Sequence, residues 1–279
     1  LKKTIKIIKF LRNPKLAYAW FTEFIDDKVI TKKHRKYTNF DDISLLDYKK
    51  AINITTKTNL IKLNKIENKF PDFLSSKNKN LPNYSWAATN ELAKLTYIIT
   101  KLIKPKIVVE TGVGPGMTSW SILKAMSENK KGHLYSIDLP TPNTKNMPEV
   151  GYLIPKSLKD RWNLLIGSSK KLLPNLLSEL SEIDIFIHDS RHSFSNQMYE
   201  YETSWSSIKN QGFLISDDIN MKSLKYGIIE NAHRALRAGC NLALYCKGRS
   251  QDSIKLLEKI PPIDEFTEKK TSEFYNFLR

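Results

Sequence analysis

The sequence predicts an α/β fold: a doubly wound, mostly parallel sheet with helices on both faces, preceded by an N-terminal helical extension. Three observations carry that expectation. From about Trp86 onward, strand and helix patterns alternate at short spacing, the signature of a parallel sheet with crossover helices. One stretch, Ile107–Met117 (IVVETGVGPGM), runs from an apolar strand through three alternating glycines into a helical pattern. The predicted strands also end on polar residues, and in such sheets ligands bind beyond the carboxyl ends of the strands.

The elements are read in order. Leu1–Asn80 contains no glycine, is rich in Lys, Asn and Thr, and shows short helical patterns. Leu16, Ala19, Trp20 and Phe24 could line one helix face, Ile43, Leu46 and Tyr48 begin another apolar patch, and Leu60, Leu63 and Ile66 keep helical spacing. Residues 1–80 are therefore expected to be a helical accessory region, and Ser75–Asn83 a linker into a second domain, 84–279. There Asn90–Ile103 reads as a helix stopped before Pro105, Ile107–Glu110 as a strand, Ser119–Met126 as a helix, and His133–Ile137 as a strand ending at Asp138. Pro140–Pro155 reads as a loop. Trp162–Ile166 is a strand, Lys170–Leu180 a helix, and Ile183–Ile187 a strand running into His188 and Asp189. Phe194, Met198, Tyr201, Trp205 and Ile208 fall on one helix face. Gly212–Ser216 is a strand ending at Asp217 and Asp218. Tyr226–Ala238 is helical with Gly239 as its stop, and Asn241–Cys246 and Ser253–Leu257 supply late strands.

Composition sets bounds. The chain has 279 residues, of which 41% are hydrophobic, enough for a large core. It contains no apolar run long enough to span a bilayer. The opening LKKTIKIIKFL is basic, but its lysines interrupt the apolar run, and it lacks a signal-peptide core and cleavage pattern. Cys240 and Cys246 make neither a disulfide framework nor a zinc motif, which fits a reducing cytoplasm. The net charge of +16 permits weak attraction to nucleic acid or anionic lipid. Because Lys and Asn are abundant throughout, compositional bias is the plainer explanation, and no specific nucleic-acid partner is expected.

Glycine at alternating positions lets the backbone turn sharply and approach a ligand closely. The helix that follows offers free N–H groups. An acid after the next strand, Asp138, is placed to bond two ribose hydroxyls; a solvated loop Asp is the alternative. Together these read as nucleotide binding. The spacing here is G-x-G-x-G rather than the dinucleotide G-x-G-x-x-G, and Glu110 precedes it. An acid there would repel a pyrophosphate but suits a ligand carrying an ammonium and a sulfonium.

The segments VVETGVGPGMTS, YSIDL, LIGSSKKLLP, IDIFIHDSRHSF and GFLISDDI occur in that order. With them, residues 86–250 resemble a class I S-adenosylmethionine-dependent methyltransferase, nearest the group of macrocin-type O-methyltransferases and cephalosporin hydroxylase-like proteins. The resemblance implies a Rossmann-like, seven-stranded sheet with an antiparallel last strand. It implies a cofactor site of Glu110, Gly112, Gly114, Gly116, Thr118, Asp138, Gly167 and Ser168, the last two near the adenine.

Asp189, Asp217 and Asp218 end adjacent predicted strands, and an all-oxygen set suits Mg²⁺ or a similar hard cation. Catechol-type O-methyltransferases carry a similar set, with an Asp-Asn pair where this chain has Asp-Asp. Those enzymes use a lysine three residues past the first metal Asp as base. This chain has His192 there, a residue type suited to base work near neutrality. The alternatives are that Asp217 caps a loop and that His192 simply begins the next helix. His188 is expected to be a packed histidine. Arg191 could meet an acidic substrate or be a surface residue.

The sequence thus points to an O-methyltransferase that uses S-adenosylmethionine and a divalent cation. Its expected acceptor is a hydroxyl on a glycan or other small polar metabolite. Weak peripheral association with membranes and homo-oligomerisation are compatible with the sequence. A nicotinamide-dependent oxidoreductase is the alternative enzyme, but it would lack both its glycine spacing and a Tyr-x-x-x-Lys pair. A non-catalytic cofactor-binding protein with a basic partner-binding region is the alternative outside enzymes.

Overall fold

The computed structural model describes residues 14–33, 49, 52–53, 56–70, 90–140, 150–217 and 242–243. Its helices are α1 (Pro14–Lys33), α2 (Leu60–Glu67), α3 (Asn90–Ile103), α4 (Met117–Asn129), α5 (Ser169–Leu180) and α6 (Phe194–Trp205). Its strands are β1 (Ile107–Thr111), β2 (His133–Asp138), β3 (Trp162–Ile166), β4 (Ile183–His188), β5 (Ile208–Ser216) and β6 (Leu242–Ala243). The sheet order is β3-β2-β1-β4-β5-β6. Every pairing among the described strands is parallel. The chain order reverses direction between β1 and β4, which creates the crevice where such sheets bind ligands. The expected antiparallel seventh strand is not among the described residues. The Ser75–Asn83 linker, Asp218, Cys240, Cys246, the Tyr226–Ala238 helix and the Ser253–Leu257 strand lie outside them.

The central strands read as near-continuous apolar runs because both of their faces are covered. Alternation along each strand divides the core. Val108, Ile185, Ile187, Phe213 and Ile215 pack with α3 and α4. Val109, Phe186 and Leu214 pack with α5 and α6. At the opposite end from the crevice, Asp184 accepts hydrogen bonds from the backbone N–H groups of Lys106 (2.9 Å) and Ile107 (2.8 Å). It also pairs with Lys209, tying β1, β4 and β5 together.

One expectation shifts. Ile208, placed by spacing on the face of α6, belongs to β5 and pairs with Ile183. The sheet claims it because α6 ends at Trp205 and a β-branched residue there fills an edge of the core. Ile52 and Leu63 are fully buried in the same core as the sheet, and Phe70 packs edge-on against Tyr97 at 5.3 Å and Trp120 at 6.0 Å. Truncation at residue 83 is therefore expected to remove core as well as any accessory surface. Losing two buried aliphatic side chains costs about 3–6 kcal/mol. A fall in thermal midpoint of roughly 10 °C should follow, whereas deletion of residues 1–33 leaves that core intact. Calorimetry of the two truncations distinguishes them.

Among the described residues, no helix is long and apolar enough to cross a membrane.

Candidate functional site

The parallel ladder continues one residue past the strands. Gly112 N–H donates to Ile137 O (2.8 Å), Asp189 N–H to Thr111 O (2.8 Å), Asp217 N–H to His188 O (2.9 Å) and Gly167 N–H to Asp138 O (2.8 Å). Backbone register alone therefore sets the glycine turn, the two aspartates and Gly167 side by side at the strand ends.

The three glycines have different tasks. All have positive φ. A Cβ on Gly112 would lie 2.0 Å from Asp189 O, and one on Gly116 would lie 2.9 Å from Gly151 Cα. Those two glycines let protein approach protein. Gly114 forms the tip between them, and its carbonyl accepts from Gly151 N–H (2.9 Å).

Glu110 lies near the end of β1, beneath the turn. It shares the face of Val108 on β1 and is 0% exposed. It receives Ser119 Oγ at 2.8 Å and Ser136 Oγ at 3.1 Å, while Trp162 Nε1 donates to Ser136 Oγ (2.8 Å). Burial pushes its carboxyl up to about 8 against the two serine hydrogen bonds, with Asp138 adding to the rise. This acid beneath α4 fastens the turn to the helix and the next strand. Thr118 is likewise buried, its hydroxyl 3.4 Å from Asp189 Oδ2.

Asp138 does reach the glycine turn. Its Oδ2 accepts from Val113 N–H (2.7 Å) and Gly114 N–H (2.9 Å), and Oδ1 takes part in neither bond. Burial pushes its pKa up, opposed by those two donors. Ser168 caps α5, and its hydroxyl donates to Glu23 of α1. Glu23 in turn pairs with Arg191, whose guanidinium lies 5.6 Å over the Trp20 ring.

Asp189, His192 and Asp217 each bring one ligand atom within 4.8 Å of the others. Asp217 is buried, and the nearest His192 Nε2–Asp189 Oδ1 approach is 4.0 Å. Burial, and then the neighbouring His188, push the His192 imidazole down to about 3, with Glu200 opposing. Held this low, the ring is neutral across physiological pH.

Glu200, like Glu23, was not legible in the sequence as part of the site. Glu200 of α6 is fully buried. It receives Thr111 Oγ1 (2.5 Å) and Ser190 Oγ (2.8 Å), Asn196 Nδ2 (3.0 Å), and lies 2.6 Å from His188 Nδ1. Burial would raise its pKa, but His188 and the hydroxyl donors more than offset this and hold it low. This carboxylate fixes the end of β1 to the loop carrying Asp189 and His192. Gln197, Glu200 and Ser204 fall at helical spacing and read as a solvent-facing polar stripe, which is why pattern alone misses Glu200. Glu200→Ala is expected to destabilise the fold by about 3–5 kcal/mol, since His188 loses its buried partner. Glu200→Gln should recover part of that loss in a denaturant titration.

Residues 109–219 match the family described as a methyltransferase domain. The matched stretch runs from β1 to just past β5 and contains the glycine turn, Asp138, Asp189, His192 and Asp217. No curated protein matches the sequence. The chain also resembles solved structures. A Podospora anserina methyltransferase, SAH-bound, is 11% identical, with 92% of this chain and 86% of that one covered and a TM-score of 0.41. A Geobacter sulfurreducens methyltransferase is 20% identical over 54% and 70%, with a TM-score of 0.40. An O-methyltransferase from Bacillus cereus in complex with SAH is 12% identical over 68% and 83%, with a TM-score of 0.40.

Proposed function

We propose that the chain transfers the methyl group of S-adenosylmethionine to a hydroxyl oxygen of a sugar or other small polar metabolite, with a divalent cation at the ends of β4 and β5. The observation carrying this reading is the convergence of Asp189, His192 and Asp217 beside the glycine turn. Carboxylates that close repel one another unless a cation sits between them or one takes a proton. The donor set therefore fits a metal ion.

In methyl transfer an acceptor oxygen bonds to the methyl carbon as the carbon–sulfur bond breaks, and the hydroxyl proton departs. Positioning supplies much of the rate. The turn at Gly114 and Asp138 Oδ1 would hold the cofactor, the latter at its ribose hydroxyls, and the Gly167–Ser168 backbone would lie by the adenine. Asp189 and Asp217 would hold the cation, which when bound lowers the acceptor hydroxyl's pKa.

His192 has two readings. As base it would accept the acceptor's proton, with Asp218 as third ligand. As ligand it would replace Asp218, a role that suits a neutral imidazole. The 4.8 Å cluster and the lowered pKa favour the second. An all-oxygen set would prefer Mg²⁺, and a set with imidazole would prefer Mn²⁺ or Zn²⁺.

Isothermal titration is expected to give binding of S-adenosylmethionine and none of nicotinamide dinucleotides. Tight NAD binding without response to S-adenosylmethionine would overturn the reading. His192→Ala separates the two roles. Loss of cation affinity marks a ligand, whereas unchanged affinity with turnover reduced by about 10²–10⁴ marks a base.

A further inference from the structure

Helix α1 crosses the strand-end crevice. Trp20 Nε1 donates to Pro140 O (3.2 Å), just past Asp138 at the end of β2. One turn further along α1, Glu23 is 5% exposed. Its Oε1 accepts from Ser168 Oγ, beyond β3, and its Oε2 pairs with Arg191, beyond β4. The Arg191 guanidinium also lies 5.6 Å from the centroid of the Trp20 ring. In the sheet order β3-β2-β1-β4, β3 and β4 are three strand spacings apart, about 14 Å at the usual interval. One carboxylate therefore draws together loops from the two sides of the crevice. It does so over β2 and β1, whose ends carry Asp138 and the glycine turn.

Polar contacts seat α1 in this position. None of its described residues is among the apolar side chains of either core, so its seat depends on Trp20 and Glu23 rather than on core packing. A carboxylate in such a seat costs desolvation that an apolar side chain avoids. What it adds is charge-assisted bonding to a hydroxyl and a guanidinium at once, which sets two loops relative to each other. Anchoring the helix alone would need only one of those partners. Ser168 lies on the side expected to take the adenine, and Arg191 stands between Asp189 and His192 in the chain. Glu23 thus reaches both flanks of the reaction centre from outside it.

We propose, on the reading that S-adenosylmethionine occupies this crevice, that Glu23 is a positioning residue that straps the Ser168 loop to the Asp189–His192 loop over the bound cofactor and slows its departure. Glu23 acts through Ser168 and Arg191 and touches neither the cofactor nor the acceptor. The glycine turn and Asp138 are bonded to each other without it, so the cofactor is still captured when the strap is broken but is no longer retained.

Stopped-flow measurement of S-adenosylhomocysteine binding to and release from the full chain tests this. Glu23→Gln keeps the size of the side chain and removes its charge. Release is expected to quicken at least about tenfold, with association little changed. Ser168→Ala removes only a hydroxyl and should quicken release about threefold or more; it decides the matter alone if Glu23→Gln does not fold. Both substitutions break the same strap, so the double variant should release no faster than Glu23→Gln. A merely structural tether would lower the thermal midpoint and leave release unchanged. Release at the wild-type rate by either variant overturns the assignment, as do additive effects in the double variant. Faster association with unchanged release also overturns it, since α1 would then be a cover that blocks entry. If the wild type does not bind S-adenosylhomocysteine, the cofactor reading fails and the strap with it; binding with release unaltered by Glu23→Gln fails the strap alone.

Discussion

Asp189→Asn is expected to abolish turnover while the cofactor still binds. The substitution keeps the side chain's size and removes its charge at the point where Asp189, His192 and Asp217 converge within 4.8 Å. The loss of one placed charge from a reaction centre costs about 10²–10³ in rate, and the loss of a cation ligand adds to that. Asp138 and the glycine turn are untouched, so affinity for S-adenosylmethionine should change little. Stability gives a second readout. Added divalent cation should raise the thermal midpoint of the wild type by mass action, and Asp189→Asn should remove that response. In EDTA the variant should be no less stable than the wild type, because two carboxylates no longer face each other. Full turnover by Asp189→Asn, or by the wild type in excess EDTA, would remove the cation from the reaction.

Gly112→Ala should be the most damaging single methyl in the fold. The new Cβ would lie 2.0 Å from Asp189 O, 2.4 Å from its carbonyl carbon and 2.7 Å from Ser190 N, all backbone atoms. The residue also sits at φ +84°, where side chains other than glycine's are strained. Neither β1 nor the β4–α6 loop can yield without breaking the hydrogen bond from Asp189 N–H to Thr111 O. A loss of roughly 3–5 kcal/mol is expected, visible as a lower denaturation midpoint together with lost cofactor and cation binding. Gly114→Ala tests a different cost. At φ +51° it incurs about 1–2 kcal/mol of strain, so it should fold and lose mainly cofactor affinity. Equal stability of the two variants would mean that the close approach at Gly112 is not what holds the loop.

Much of the domain was determined by the sequence itself. Apolar runs such as Ile185–Ile187 and Ile107–Val109 are strands under any local reading, because they have no polar face to turn outward. Alternating helices then leave little choice but a parallel sheet. Parallel register places the residues after each strand at one edge, so Asp138, Asp189 and Asp217 were legible as a group before any coordinate was known.

Side-chain direction was decided only by the tertiary structure. Glu110 follows the parity of Val108 and ends beneath α4, where burial pushes its carboxyl up to about 8. Its sequence position places it at the glycine turn, and the packing aims its carboxyl at Ser119 and Ser136. His192 was read at its ordinary pKa, which the packing of the β4–α6 loop replaces with about 3. Glu200 and Glu23 were not visible because their partners are far away in sequence: Thr111 lies 89 residues from Glu200, and Ser168 lies 145 from Glu23. Local pattern fixes which elements form and in what order, since backbone hydrogen bonding and hydrophobic periodicity act over a few residues. Which charges are buried, and what they hold, depends on desolvation and on contacts made across the whole chain.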